Sequence, residues 1–369
     1  MTLPNTNIPA LSVENMVNTL SAMYSTAIIN KTPIKALPSV MLWGAPGVGK
    51  SQGVRQIAKR IERETGKTCK ITDVRLLLFN PIDLRGIPTA NKDKTLALWL
   101  KPEIFQMDPS EDIVNILFLD ELSAAPQSVQ ASAYQLTLDR QVGEHKLPDN
   151  CIVLAAGNRV TDKSVAFKMP KALANRLLHL EIEGSFESWK KWAINSQVNK
   201  KVIGFLSFKV DSLYGFDADS EDLAFPTPRS WEMVSNILNS EIDEQSAYPL
   251  ICGLVGSGTA TQFTSWIKVY DELPSMEEVF GGRCTKNVKT PSALYAMVTS
   301  MVSYAREHRN NILGIGSSLI YAKRFPPEFA ALLIESYKMI DADFGDIIKA
   351  MPEYFDLIKA RGVIKNGYV

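Results

Sequence analysis

Short apolar runs without polar alternation punctuate the first half of the chain. Val40-Met41-Leu42-Trp43, Ile116-Leu117-Phe118-Leu119 and Cys151-Ile152-Val153-Leu154-Ala155-Ala156 are the clearest. Runs of this kind are strands buried on both faces, as in a parallel sheet. Cys69 to Arg75 and Leu177 to Ile182 read as two further strands. Between them lie stretches of helical period. Val13, Met16, Val17, Leu20, Met23 and Tyr24 share one face of a helix over 12–29, with Ser12 as its cap. Val54, Ile57, Ala58 and Ile61 line a second helix, which Gly66 ends. A third begins at Ala125-Pro126 and runs to about Leu138, and a short one spans Lys171 to Arg176. Strands thus alternate with helices to about Glu183, which predicts an α/β, doubly wound parallel sheet.

Two segments interrupt that alternation. Residues 80–88 hold two prolines and a glycine and read as a turn-rich loop. A polar stretch and then Leu96 to Leu100 follow, which suits a hairpin projecting from the body. Residues 139–149 read as a second, smaller hairpin. Beyond Glu183 no strand pattern recurs. Leu294, Met297, Val298, Met301, Val302 and Ala305 form one apolar helical stripe, and Phe329, Leu332, Leu333, Tyr337 and Ile340 another. The expected organisation is an N-terminal helical segment (1–37), an α/β domain (38–183), a helical lid (184–275) and a helical C-terminal region (276–369).

Composition narrows the picture only a little. The 369 residues hold 40 Lys+Arg and 40 Asp+Glu, so no net field favours nucleic acid or an anionic membrane. No uncharged apolar run is long enough to span a bilayer, and the first ten residues lack the basic flank and apolar core of a signal peptide. Cys69, Cys151, Cys252 and Cys284 have no metal-site spacing and read as reduced thiols, so a cytoplasmic location is expected.

The chemistry starts at Gly44-Ala45-Pro46-Gly47-Val48-Gly49-Lys50-Ser51, set between the first strand and the helix that opens with Gln52. Glycines let the backbone turn tightly and approach phosphate oxygens. The freed N–H groups and the helix N-terminus favour an anion there. Lys50 can reach the outer phosphates and Ser51 can ligate Mg²⁺. Asp120 and Glu121 end a buried strand about 70 residues on, where ligands of open α/β sheets bind. Asp120 suits the metal, and Glu121 suits proton removal from an attacking water. Asn158, at the tip of the next strand, can orient that water. Arg229 follows the expected cap Thr227 and Pro228 in the first turn of a helix, where an arginine can point at a phosphate.

These residues, taken in order, resemble an AAA+ ATPase. Gly44 to Ser51 match Walker A, Asp120-Glu121 Walker B, Asn158 sensor 1, Arg176 the arginine finger and Arg229 sensor 2. Pro81-Ile82-Asp83-Leu84-Arg85-Gly86-Ile87-Pro88, Ala155-Ala156-Gly157-Asn158-Arg159 and Phe225-Pro226-Thr227-Pro228-Arg229-Ser230-Trp231-Glu232 are similar to the MoxR-like branch. That resemblance covers about residues 38–240. It implies ATP and Mg²⁺ as ligands, with Gly44 to Gln52 as the nucleotide-binding set, and Ser51 and Asp120 as metal ligands. Glu121, Asn158, Arg176 and Arg229 become the catalytic set. It further implies a homo-oligomer, a hexameric ring, in which Arg176 reaches a neighbour's site, with Arg159 and Arg140 as rivals for that role. Residues 83–100 become the helix-2 insert and 139–149 the hairpin before sensor 1, both facing the pore. The expected work is chaperone-like remodelling or metal-loading of a protein partner, such as one bearing a von Willebrand factor A domain. A nucleic-acid motor of a restriction or defence system and a nucleotide-gated scaffold are the alternatives.

Overall fold

The computed structural model describes residues 8–159, 169, 171–217 and 220–361; the ends of the expected N-terminal segment (1–7) and C-terminal region (362–369) lie outside the described residues. The chain divides into two compact units, Met1–Ser185 and Phe186–Val369.

The first unit begins with β1 (Ala10–Ser12), α1 (Val13–Ile29), β2 (Val40–Trp43), α2 (Lys50–Thr65) and β3 (Thr68–Arg75). It continues with α3 (Pro81–Arg85), β4 (Ile87–Ala90), β5 (Ala97–Leu100), β6 (Ile113–Asp120) and α4 (Gln127–Asp139). It closes with β7 (Gln141–Val142), β8 (His145–Lys146), β9 (Cys151–Gly157), α5 (Lys171–Ala174) and β10 (Leu178–Glu183). Six strands form one sheet in the order β1-β10-β2-β9-β6-β3, and every neighbouring pair is parallel. This is the doubly wound α/β architecture that the alternation of runs predicts. Parallel pairing puts the C-terminal ends of β2, β6 and β9 side by side, so the loops that follow them share one edge. Val114 and Ile116 to Leu119 of β6, and Cys151 to Ala156 of β9, are all buried. That burial explains their unbroken apolar character.

Two local features depart from the sequence expectation. Ala10–Ser12 is a strand, pairing Ala10 with Glu181 and Ser12 with Glu183 at the sheet's edge. Three residues are too few to show a period, and the following helix masks them. Pro81–Arg85 is a short helix rather than a loop. Asp83 accepts from the Asn80 amide at 2.7 Å, and the proline sits in the first turn. Asn-Pro with an acid at the third helical position is a start signal that could have been read. The two expected hairpins are present as β4–β5 and β7–β8.

Among the described residues, every element of the second unit is helical. It comprises α6 (Phe186–Asn195), α7 (Lys200–Phe208), α8 (Pro228–Asn239), α9 (Glu244–Val255), α10 (Ser257–Ile267) and α11 (Met276–Phe280). After these come α12 (Pro291–Glu307), α13 (Ile312–Ala322), α14 (Pro327–Lys338), α15 (Ala342–Ala350) and α16 (Pro352–Arg361). One apolar core runs from Trp189 to Leu357. Phe205, Trp231, Phe263 and Trp266 pack edge-on or tilted at its centre. Trp231 is fully buried and donates its indole N–H to the Ser212 carbonyl at 2.7 Å, so its single polar atom is satisfied.

Candidate nucleotide site

Trp43 ends β2 and the chain enters the glycine loop at once. Gly47 (φ 79°) and Gly49 (φ 104°) take left-handed backbone conformations that an L side chain resists. Gly49 is also the N-cap of α2, whose first two residues are Lys50 and Ser51. The loop's amides and the helix N-terminus therefore converge where an anion is favoured. Gln52 follows in the first turn and is exposed.

Lys50 is buried, and its ammonium has defined acceptors. It donates to the carbonyls of Gly44 (2.6 Å) and Ala45 (3.1 Å) and to Asn158 Oδ1 (3.1 Å). The last bond joins the loop to the tip of β9, 108 residues away in sequence. Asn158 is fixed from the other side by Ser123. The Ser123 hydroxyl accepts from the Asn158 amide and donates to the Asn158 carbonyl, each at 3.0 Å. Ser123 carries no sequence signal, because a serine after a strand is too common to mark a site.

Ser51 donates its hydroxyl to Asp120 Oδ2 at 2.9 Å, so the end of β6 faces the start of α2. The other oxygen, Oδ1, accepts from the Glu121 amide at 2.9 Å. Glu121 itself sits at φ 59°, a left-handed position uncommon for a non-glycine residue. Backbone strain of this kind at a non-glycine residue is a mark of functional sites. Asp73, on the adjacent β3, has its carboxyl pushed up, first by burial and then by the charge of Asp120. A hydroxyl and a carboxylate oxygen are hard donors and fit Mg²⁺, which is commonly held by one or two protein groups together with phosphate oxygens. No cluster of three or more His, Cys, Asp or Glu side chains occurs among the described residues, so the soft or all-protein metal cages are absent there.

The arginines fall in different places. Arg140 spends its guanidinium on backbone carbonyls, those of Cys151 (2.5 Å), Leu37 (3.0 Å) and Ile34 (3.4 Å). Arg159 follows β9 at the loop edge and pairs with the buried Glu181 of β10. Arg176 is exposed in the turn before β10. Its position along the sheet follows from register. Leu178 pairs with Val40 at the start of β2, whereas the glycine loop follows the end of that strand. Arg176 therefore lies at the opposite edge of the sheet from Lys50, roughly 20 Å away at about 3.3 Å per strand residue. There it borders a polar cleft of about 450 Å³ shared with Lys35, Ser39, Arg140, Lys146 and Asp149. Arg229 belongs to the second unit. It is exposed in the first turn of α8, whose cap Thr227 accepts from the Ser230 amide at 3.0 Å.

The β4–β5 hairpin is exposed along its whole length. Ile87 (59% exposed), Leu98 (46%), Trp99 (38%) and Leu100 (57%) make it unusually apolar for a projection into solvent.

Residues 39–179 match the family model described as ATPase family associated with various cellular activities (AAA). No curated protein matches the chain. Among solved structures, NtrX from Brucella abortus in complex with ATP is 11% identical, with a TM-score of 0.38, covering 98% of this chain and 70% of that one. A RuvB variant from Thermotoga maritima is 15% identical (TM-score 0.35), covering 82% and 87%. PCH-2 of C. elegans is 14% identical (TM-score 0.34), covering 80% and 70%. None of these likenesses is close enough to transfer an activity. The family match runs from β2 to the first residues of β10 and contains the glycine loop, Asp120, Glu121 and Asn158. Residues 39–179 are an AAA-family ATPase domain, and the chain is an ATP hydrolase.

Proposed function

We propose that the chain is a MoxR-like, ring-forming Mg²⁺-ATPase that works in the cytoplasm and remodels or activates a protein partner. The observation that carries this reading is the separation of Arg176 from Lys50 on opposite edges of one sheet. A cation so placed serves a nucleotide on a neighbouring subunit and not its own. A ring of identical subunits, hexameric in the branch that the sequence resembles, repeats that contact at every interface.

In this reading the loop amides and Lys50 hold the β- and γ-phosphates. Ser51 and Asp120 hold Mg²⁺, which when bound draws charge from the phosphate oxygens. Glu121, held in a left-handed backbone conformation, takes a proton from water as that water's oxygen bonds to the γ-phosphorus. The bond from phosphorus to the bridging oxygen of ADP breaks in the same displacement. Asn158, anchored by Ser123, aligns the water. Arg176 from the neighbour stabilises the charge spread over the transferring group, and the sensor-2 role of Arg229 is what the resemblance implies. The apolar β4–β5 hairpin is the surface for a protein client. Free thiols at Cys69, Cys151, Cys252 and Cys284 suit a reducing compartment. No helix among the described residues is long and apolar enough to cross a membrane.

The test is Arg176→Ala. It should retain ATP binding and ring assembly and lose turnover by about 10³-fold or more, the scale of arginine-finger losses. Turnover equal to the parent refutes the assignment. Stimulation of the parent by DNA or RNA, and not by any protein, would favour the nucleic-acid motor instead.

A further inference from the structure

A side-chain relay runs down the face of the sheet, from the glycine loop to the turn that carries Arg176. Trp43 is the last residue of β2 and the residue before Gly44. Its indole N–H donates to His179 Nδ1 at 2.9 Å, and the two rings lie edge to edge, centroids 6.1 Å apart with 18° between planes. Indole nitrogen is a donor only, so Nδ1 must be the unprotonated nitrogen of His179. Nε2 then carries the proton, and it donates to the Ala174 carbonyl at 2.7 Å. The tautomer is set by the partners at both ends.

Ala174 is the hinge of the Arg176 turn. Its carbonyl also accepts the Leu177 amide, at a longer 3.2 Å, which closes the turn over residues 174–177. Arg176 lies inside that turn. Beyond it, Leu178 donates to the Ser39 carbonyl at 3.0 Å and enters the sheet. The short bond from His179 is thus a side-chain restraint on the turn, and it ties the turn to the residue that precedes the glycine loop. We propose that Trp43 and His179 are positioning residues for Arg176: they hold the turn in register with the sheet, so that the guanidinium meets the neighbour's phosphates. The proposal rests on the reading of Arg176 as a finger acting in trans. It adds the means by which an exposed arginine on a four-residue turn keeps the placement that charge stabilisation demands, where a misplacement of about 1 Å can cost about 10²-fold.

A two-subunit complementation tests it. Glu121→Gln subunits cannot turn over ATP but can lend Arg176. Arg176→Ala subunits turn over only beside a lender. Mixed, the two should regain turnover. Adding His179→Phe to the Glu121→Gln lender should cut the regained kcat by about tenfold or more, with KM for ATP changed less than about threefold, because the reacting site is on the other subunit. Trp43→Phe on the lender keeps an aromatic ring against His179 and removes the N–H. It should act in the same direction. ATP binding by each lender, measured directly, establishes that it is folded; if the His179→Phe lender does not bind ATP, the Trp43→Phe lender decides. Equal rescue by all folded lenders overturns the relay. No rescue by the Glu121→Gln lender alone overturns the finger reading, and the relay with it.

Discussion

An alanine at position 44 would bring its Cβ to 2.5 Å from the Ile182 carbonyl oxygen. Backbone cannot swing aside as a long side chain can, so the loop or β10 has to move. Gly44→Ala should therefore cost about 1–3 kcal/mol, the usual range for overpacking, and lower the midpoint of thermal unfolding by several degrees. Calorimetry in the absence of nucleotide checks this without reference to activity. Asn158 makes a different kind of contribution. Its side chain accepts from Lys50 and its backbone is tied to Ser123, so it joins the loop to the strand tip. Asn158→Ala should leave ATP affinity within about tenfold of the parent and lower kcat by about 10²–10³, as loss of a preorganised polar group does. Steady-state kinetics with a direct binding measurement separate the two. Cys69 and Cys151, in contrast, disfavour the reactive thiolate. Burial pushes the thiols of Cys69 and Cys151 up to about 12, with the Glu62 charge adding to the shift at Cys69. A raised value means less thiolate: at pH 8 about one molecule in 10⁴ is ionised, against about one in four for an unperturbed thiol. Iodoacetamide at pH 8 should leave both unmodified in the folded protein and label both once it is denatured. Peptide mass mapping reads the outcome.

Among the elements, β4 and β5 stand apart because their side chains contribute to no core. A two-stranded hairpin with no packed face gains little from folding alone. Replacing Leu98 and Trp99 with serine should thus change global stability by no more than about 0.5 kcal/mol, as exposed positions do. Basal ATP turnover should survive, and stimulation of turnover by a protein client should be lost. Unchanged stimulation would remove the hairpin from the client surface. This element also shows what a sequence can disclose. The polar stretch 89–95 followed by the run Leu96 to Leu100 predicts a projecting hairpin, and β6 and β9 are legible as unbroken apolar runs. The glycine loop was legible because its chemistry permits few residue types at each place. The Pro81–Arg85 helix shows only its start signal, Asn80-Pro81 followed by Asp83, and the Ala10–Ser12 strand is not legible, being too short to complete a period. Nor is the Trp43–His179 bond. It depends on β10 lying beside β2, a neighbour relation between residues 136 apart that no local pattern encodes. The helical unit repeats the lesson. Its stripes were readable one helix at a time, but the packing of α7 on α12 in one core from Trp189 to Leu357 was not.

At the scale of the whole molecule, the sheet has two chemically distinct edges. One holds the glycine loop, Asp120, Glu121 and Asn158. The other holds Arg176 beside a cleft edged by Lys35 and Lys146. With the finger on the far edge, the nucleotide site of an isolated subunit lacks a group that carries about 10³–10⁵ of the rate in other enzymes of this chemistry. Hydrolysis then becomes a property of the assembly. Turnover per subunit should stay constant at high protein concentration and fall by at least about 10³-fold as dilution separates the subunits. The midpoint should coincide with the assembly midpoint measured by light scattering or sedimentation. Arg176→Ala should show no such dependence, having nothing to lose on dissociation. Turnover per subunit that is independent of concentration across the assembly transition would place the whole catalytic set on one chain and would require a different arginine.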